Sequence, residues 1–114
     1  MAFPKSHLYP KEDQSLCIFM KALGHPARAR IIRQLAQEGT CSVKVISKNH
    51  PISRPAMSVH LRILRVAHLV KWYEDYPDTF YSLDAKNAAM AIKLVKAFLK
   101  ELKLMGKDKA RSKM

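Results

Sequence analysis

Apolar residues recur at intervals of three and four along the first two thirds of the chain, the spacing of amphipathic helices. Leu16, Phe19, Met20 and Leu23 predict a first helix opening at Gln14 or Ser15 and stopped by Gly24. Pro26 suits the first turn of a second helix, which buries Ile31, Ile32 and Leu35, runs to about Gln37 and ends at Gly39. Thr40 or Ser42 is placed to cap a short third helix with Val43 and Ile46 inside, broken by Asn49, His50 and Pro51. Ser53 then reads as an N-cap, followed by Arg54 and the first-turn proline Pro55, and the fourth helix continues to about Ala67.

Beyond that point the period changes to two. Leu69–Tyr76 and Phe80–Leu83 are rich in aromatic and β-branched residues and flank Pro77-Asp78, which predicts a β-hairpin with a short turn. Asp84 caps a long last helix over about 85–104, ended by Gly106. The expected fold class is mainly α with a β-hairpin wing, in the order α-α-α-α-β-β-α. Residues 1–13 read as a flexible arm, 14–105 as one domain, and 106–114 as a basic, disordered tail.

At 114 residues the chain forms a single domain able to bury a core without disulfides. Lysine and arginine outnumber acids 21 to 9, for a net charge of +12, which points to a polyanionic partner. The excess is not in the tail. Residues 14–73 hold ten basic groups and one acid, Glu38, so they carry +9, whereas 106–114 carry only +3. Two cysteines, Cys17 and Cys41, are too few for a disulfide scaffold and suit a reducing cytoplasm. No apolar run approaches the roughly 18 residues of a membrane span, and the start has no apolar core of a secretory signal.

On a helical wheel Arg54, Ser58, Arg62 and Arg65 fall within an arc of about 80°, and Met57, Leu61 and Leu64 on the adjoining arc. One face is core and the other a row of donors. With a short helix and a turn before it, this is the layout of a helix-turn-helix whose second helix enters the major groove. Guanidinium groups read guanine edges or clamp phosphates, and a hydroxyl serves either purpose. The hairpin behind would be the wing.

These segments resemble the ArsR/SmtB family of bacterial winged-helix repressors. Lys21-Ala22-Leu23-Gly24-His25-Pro26-Ala27-Arg28 is similar to the opening signature of that family. Ser53–Leu64 is similar to its recognition helix, with Ser58, His60 and Leu61 as the Ser-x-His-Leu core, and Ala67-His68-Leu69-Val70 to the segment entering the wing. The resemblance spans about 15–104. It implies a homodimer built on the first and last helices, which binds an inverted repeat and represses transcription. The implied DNA-contacting set is Arg54, Ser58, His60, Arg62 and Arg65, flanked by Lys48 and the one wing cation, Lys71. The metal-sensing cysteine positions of the family hold Ser42 and Lys44 here, and no histidine follows His68, so neither a metal site nor a cofactor is expected. Val59 stands where a polar residue is common. Glu74, Asp75 and Asp78 make the wing acidic, which puts its contact with phosphates in question.

Among the remaining chemistry-bearing residues, His50, His60, His68 and Cys41 have no recognised zinc spacing. His25 is expected at a helix junction. His60 has two readings, a boundary histidine and a DNA contact. His68 stands where a glycine would end the helix. Cys17 and Cys41 read as small buried hydrophobes, with a redox pair as the alternative. The last helix spreads Ala91, Leu94, Val95, Phe98, Leu99 and Leu102 over about 140°, wide enough to serve both its own core and a twofold mate. No nucleophile-base motif or glycine-rich phosphate loop indicates an enzyme. A winged-helix protein-interaction module and a sequence-independent basic DNA binder are the alternatives to a sequence-specific regulator.

Overall fold

A computed structural model describes residues 5–112. After one 3-10 turn at Ser6–Leu8 come helices α1 (Lys11–Leu23) and α2 (Pro26–Glu38). A two-residue strand β1 (Cys41–Ser42) leads into α3 (Val43–Lys48) and α4 (Arg54–Val66). Strands β2 (Val70–Asp75) and β3 (Asp78–Leu83) then form the hairpin, and α5 (Ala85–Ser112) closes the chain. The predicted winged helix-turn-helix is present, with one addition. β1 pairs antiparallel with β3, Cys41 opposite Tyr81 and Ser42 opposite Phe80, so the hairpin becomes a sheet of order β1-β3-β2.

Helix boundaries follow local chemistry. Ser42 Oγ accepts from the Val45 amide at 3.2 Å and Ser53 Oγ from the Ala56 amide at 3.3 Å, so each serine caps the helix it precedes. Asp84 Oδ1 does the same for α5 through the Asn87 amide. Gly39 follows α2 with φ 82°, a left-handed conformation that favours glycine. Three boundaries differ from the sequence expectation. α1 begins at Lys11, directly after Pro10, because Glu12 and Asp13 in its first turn favour the positive end of the helix dipole. That takes 11–13 out of the expected arm, of which 1–4 lie outside the described residues. Asp78 belongs to β3, leaving Tyr76-Pro77 as the turn. α5 passes through Gly106 to Ser112, because a glycine weakens a helix by only about 1 kcal/mol and does not by itself break it. The expected tail is thus helical as far as it is described.

The core gathers Ile31 and Leu35 of α2, Ile46 of α3, and Met57, Leu61 and Leu64 of α4. Leu69, Val70 and Tyr81 close it from the sheet, and Ala91 from α5. On α4 these positions recur at i, i+4 and i+7, which is why one face of that helix is fully committed. Of the two cysteines, Cys41 is buried as expected and Cys17 is exposed. Leu16 takes the inward slot on α1, and the next residue is turned about 100° away from it.

The end of α4 is a Schellman motif. The Leu69 amide donates to the Leu64 carbonyl at 3.1 Å and the His68 amide to the Arg65 carbonyl at 2.9 Å, with Leu64 and Leu69 both buried. The left-handed position is His68, φ 58°. A Cβ there opposes the conformation by about 1–2 kcal/mol. His68→Gly is therefore expected to raise unfolding stability by about 1 kcal/mol, part of the gain being offset by the freer unfolded chain. Urea denaturation should show a higher midpoint at unchanged slope, and the β-branched His68→Ile a lower one.

Candidate nucleic-acid interface

Met57, Leu61 and Leu64 hold α4 against the core, so the side of the helix next to that face meets solvent. Arg54, Ser58 and Arg62 are exposed on that side, one turn apart. Arg65 continues the row but is half-buried, its guanidinium carbon 3.7 Å above the centre of the Trp72 ring. This cation–π contact ties the last turn of α4 to β2 and fixes the angle between helix and wing.

Helix and wing enclose an open cleft of about 440 Å³, lined by Arg54, Ser58, Arg62 and Arg65 on one wall and by Trp72, Glu74, Asp78 and Thr79 on the other. Lys44, from the first turn of α3, lines it too. Glu74 and Asp78 share the cleft with the arginines, and no ion pair joins them among the described residues. The groove therefore presents unpaired guanidinium donors beside two carboxylates.

Four of the seven expected contact residues, Arg54, Ser58, Arg62 and Arg65, come together here. Three do not. Lys71 lies on the other face of the hairpin. Trp72 and Glu74 pair with Tyr81 and Thr79 on the face toward α4, while Lys71 pairs with Ser82 on the reverse, beside the stacked rings of Tyr73 and Phe80 5.2 Å apart. Lys48 is exposed at the far end of α3, and it is Lys44, one turn earlier, that lines the cleft. Its position in the first turn of the leading helix was the signal that sequence reasoning passed over.

His60 turns inward. Its Nδ1 lies 3.0 Å from Nη1 of Arg28, and its ring centre 4.4 Å from that of His25. Arginine only donates, so Nδ1 accepts and the imidazole is neutral with its proton on Nε2. Burial lowers the His60 pKa, and the neighbouring His25, Arg28 and His50 lower it further. Of the two readings, the boundary histidine describes this ring, bonded to a side chain and not to backbone. His25 sits at the α1–α2 junction, as expected, where its Nδ1 accepts from the Ala27 amide at 3.0 Å and caps α2. Burial also pushes the Cys41 thiol up, with help from Glu38, so it remains protonated and inert.

Among the described residues, no three His, Cys, Asp or Glu side chains gather into a set that could hold a metal ion. Ser42 and Lys44, which stand at the positions where the resemblance would place cysteine ligands, cap α3 and line the cleft respectively. No helix of the described residues is long and apolar enough to cross a membrane.

Comparison with known proteins agrees with this geometry. A helix-turn-helix domain model matches residues 23–71, which run from the end of α1 into β2. The chain is 33% identical over 87 residues to a biofilm growth-associated repressor of Agrobacterium fabrum, covering 76% of this chain and 74% of that one. It is 35% identical over 72 residues to a transcriptional repressor SmtB homologue of Synechocystis sp., covering 63% and 54% respectively. Among solved structures, a possible transcriptional regulator for arsenical resistance superposes with TM-score 0.67 at 31% identity, over 78% of this chain and 93% of that one.

The inward histidines give a pH dependence of stability. His50, like His60, has its pKa lowered from the ordinary value, by burial and then by Arg30. Between the lowered folded values and about 6.5 the unfolded chain binds more protons, so stability falls as pH drops through that window. Below the folded values no further loss comes from these groups. His60→Asn, which keeps an acceptor for Arg28 and does not titrate, should lose less stability than the wild type between pH 7 and pH 5. Equal losses would remove His60 from the explanation.

Proposed function

The chain belongs to the ArsR/SmtB family of DNA-binding helix-turn-helix transcription regulators, and from that premise we propose that it is a homodimeric repressor reading an inverted repeat through α4. The observation that carries the reading is the exposed row Arg54, Ser58 and Arg62, held by a core-anchored helix at the mouth of a groove. Lys44 lines the same groove, suited to a phosphate flanking the major groove. Such a protein works where the DNA is, in the cytoplasm.

Arg54→Ala and Arg62→Ala should leave the fold intact, since both side chains are exposed. A base-reading arginine contributes about 1–3 kcal/mol of discrimination, whereas a phosphate contact weakens all sequences alike. After the preferred site is obtained by selection from random duplexes, at least one variant should relax preference at a defined base pair. Asp78→Ala should bind equally or more tightly, because a carboxylate beside the phosphates is removed. If both arginine variants match the wild type on the selected site, α4 is not the reader. The protein-interaction alternative draws support from the acidic wing, and a competitor-DNA titration that detects no binding would favour it.

The dimer rests on α5. Leu99, Leu102, Leu104 and Met105 are all more than half exposed, on a helix that extends far past its own core. The radius of gyration is 17.1 Å, against about 13 Å for a compact chain near this length, and the longest dimension is 62 Å. Tyr9 and Met20 add exposed apolar area beside α1, which packs on α5. A run of this kind is the signature of an isologous interface in which the same helix meets its copy. Sedimentation at micromolar concentration should give twice the chain mass. Leu99→Asp with Leu102→Asp should yield monomers with much weaker affinity for the selected site. A wild type that remains monomeric on DNA would contradict the proposal.

A further inference from the structure

A second polar cleft lies away from the DNA-reading groove and shares no residue with it. It measures about 130 Å³ and is lined by Arg30, Arg33, Gln34, Gln37 and Glu38 of α2 and by Asn49, which ends α3. Every lining residue carries a polar or charged side chain, so a polar ligand finds partners on all sides. The volume is well below the roughly 300–1,000 Å³ of sites for drug-sized molecules, which suits a small group.

The surroundings supply donors in excess. Neither guanidinium is paired with a carboxylate among the described residues, although Glu38 lines the same cleft; two cations against one acid leave it positive. Gln34 is only 7% exposed, and its Nε2 donates to nothing. Ser47 Oγ and His50 Nε2 are likewise buried without a partner. All three of these atoms belong to α2 or to the exit of α3, the two segments that form this cleft. Buried polar atoms are ordinarily satisfied, and their concentration at one junction marks a place built for something more than packing. The charge of Arg30 is also felt at His50, where it opposes protonation of the ring.

We propose that the cleft between α2 and the end of α3 binds a small tetrahedral oxyanion, of the size of phosphate or sulfate, held by the guanidinium groups of Arg30 and Arg33 and the side-chain amides of Gln34 and Asn49. Charge-assisted hydrogen bonds from arginine suit such an anion, and the amides add directional donors without further charge. The oxyanion is either a free ion or phosphate monoester, or a phosphate of the DNA backbone; the recognition chemistry is the same. α3 links this cleft to the first: Asn49 at its end touches the oxyanion site, and Lys44 in its first turn lines the DNA groove.

The test is a titration of the full ¹⁵N-labelled chain, following the side-chain amides of Gln34 and Asn49 and the arginine Nε–H groups. Sodium phosphate and sodium sulfate are added separately, with ionic strength held constant by chloride. The Gln34 and Asn49 signals should shift and saturate. Arg30→Gln should weaken that response about tenfold, the loss expected for one charge-assisted bond, and Arg30→Lys should recover part of it. Arg62→Gln, in the other cleft, should leave it unchanged. Arg30 and Arg33 are exposed, so their variants should keep the wild-type melting temperature, and Gln34→Leu gives an independent check on the amide. A second arm adds a DNA duplex. If free anions do not saturate but the duplex moves the same signals, and Arg30→Gln with Arg33→Gln lowers the salt slope of DNA binding by about one per protomer, the phosphate comes from DNA. Shifts that rise without saturation across all surface arginines, with no local response to the duplex, would overturn the site. The free-anion arm contains no DNA, so its result is independent of the reading assigned to α4.

Discussion

The buried guanidinium of Arg28 is the interaction on which the arrangement of helices depends. From α2 its Nε donates to the Ala22 carbonyl at 2.7 Å and its Nη2 to the Lys21 carbonyl at 3.1 Å, both among the last carbonyls of α1, where the helix offers few donors of its own. The third direction goes to His60 on α4. One cation thus joins three helices, and its charge is met by the negative end of a helix dipole instead of a carboxylate. Burying a charge is costly unless it is hydrogen-bonded, and here the fork geometry of arginine lets each of the three guanidinium nitrogens find a partner. Lysine would offer one nitrogen where three directions are needed. The same bond sets the roll of α4. His60 sits about 200° around the helix from the middle of the arginine row, so pinning it inward turns Arg54, Ser58 and Arg62 outward.

With that roll fixed, the electrostatics of the groove take on a definite sense. A helix of unpaired arginines on a chain of +12 attracts any nucleic acid, which opposes selectivity. Glu74 and Asp78 stand in the opposite wall. If α4 reads DNA as proposed, they lower the attraction for every sequence alike, and what remains depends more heavily on base contacts made by the arginines. Repulsion that falls equally on all partners costs affinity and sharpens discrimination, the usual effect of building against the wrong complex. The contact between Arg65 and Trp72 keeps the acidic wall at a set distance from the reading helix. The acidity that weighs against the wing as a phosphate clamp is thereby consistent with a wing that tunes selectivity.

What the sequence discloses and what it conceals divide along physical lines. Caps are local, and Ser42, Ser53 and Asp84 were readable because a hydroxyl or carboxylate three residues before an amide needs no tertiary information. The donor row on α4 was readable because helical spacing alone decides which side chains share a face. His60 was not, since its role depends on Arg28, 32 residues away in sequence. Lys71 was assigned to the interface by its charge, whereas pairing parity in the hairpin puts it on the reverse face. β1 has two residues and no periodicity, and exists only because Tyr81 and Phe80 offer it partners. The cleft of Arg30 and Arg33 left no motif at all, because it arises where the exit of α3 meets the side of α2.

α5 shows how a helix outlasts the core that formed it. Its first half is held by contact: Ala91 is buried and Leu94, Val95 and Phe98 are half-buried. Beyond these, Leu99, Leu102 and Leu104 are exposed, and neither buried side chains nor an N-terminal cap reach that far. Intrinsic propensity of a lysine- and leucine-rich segment continues the helix for a few turns, but an isolated extension of that length is marginal in water. An apolar stripe on such an extension is stabilised chiefly by being covered. If a second copy covers it, the order of the last turns and the formation of the dimer become one equilibrium. The spacing between two copies of α4, and with it the half-site separation they accept, is then set by how α1 and α5 pack across the twofold axis and not by the reading helices themselves.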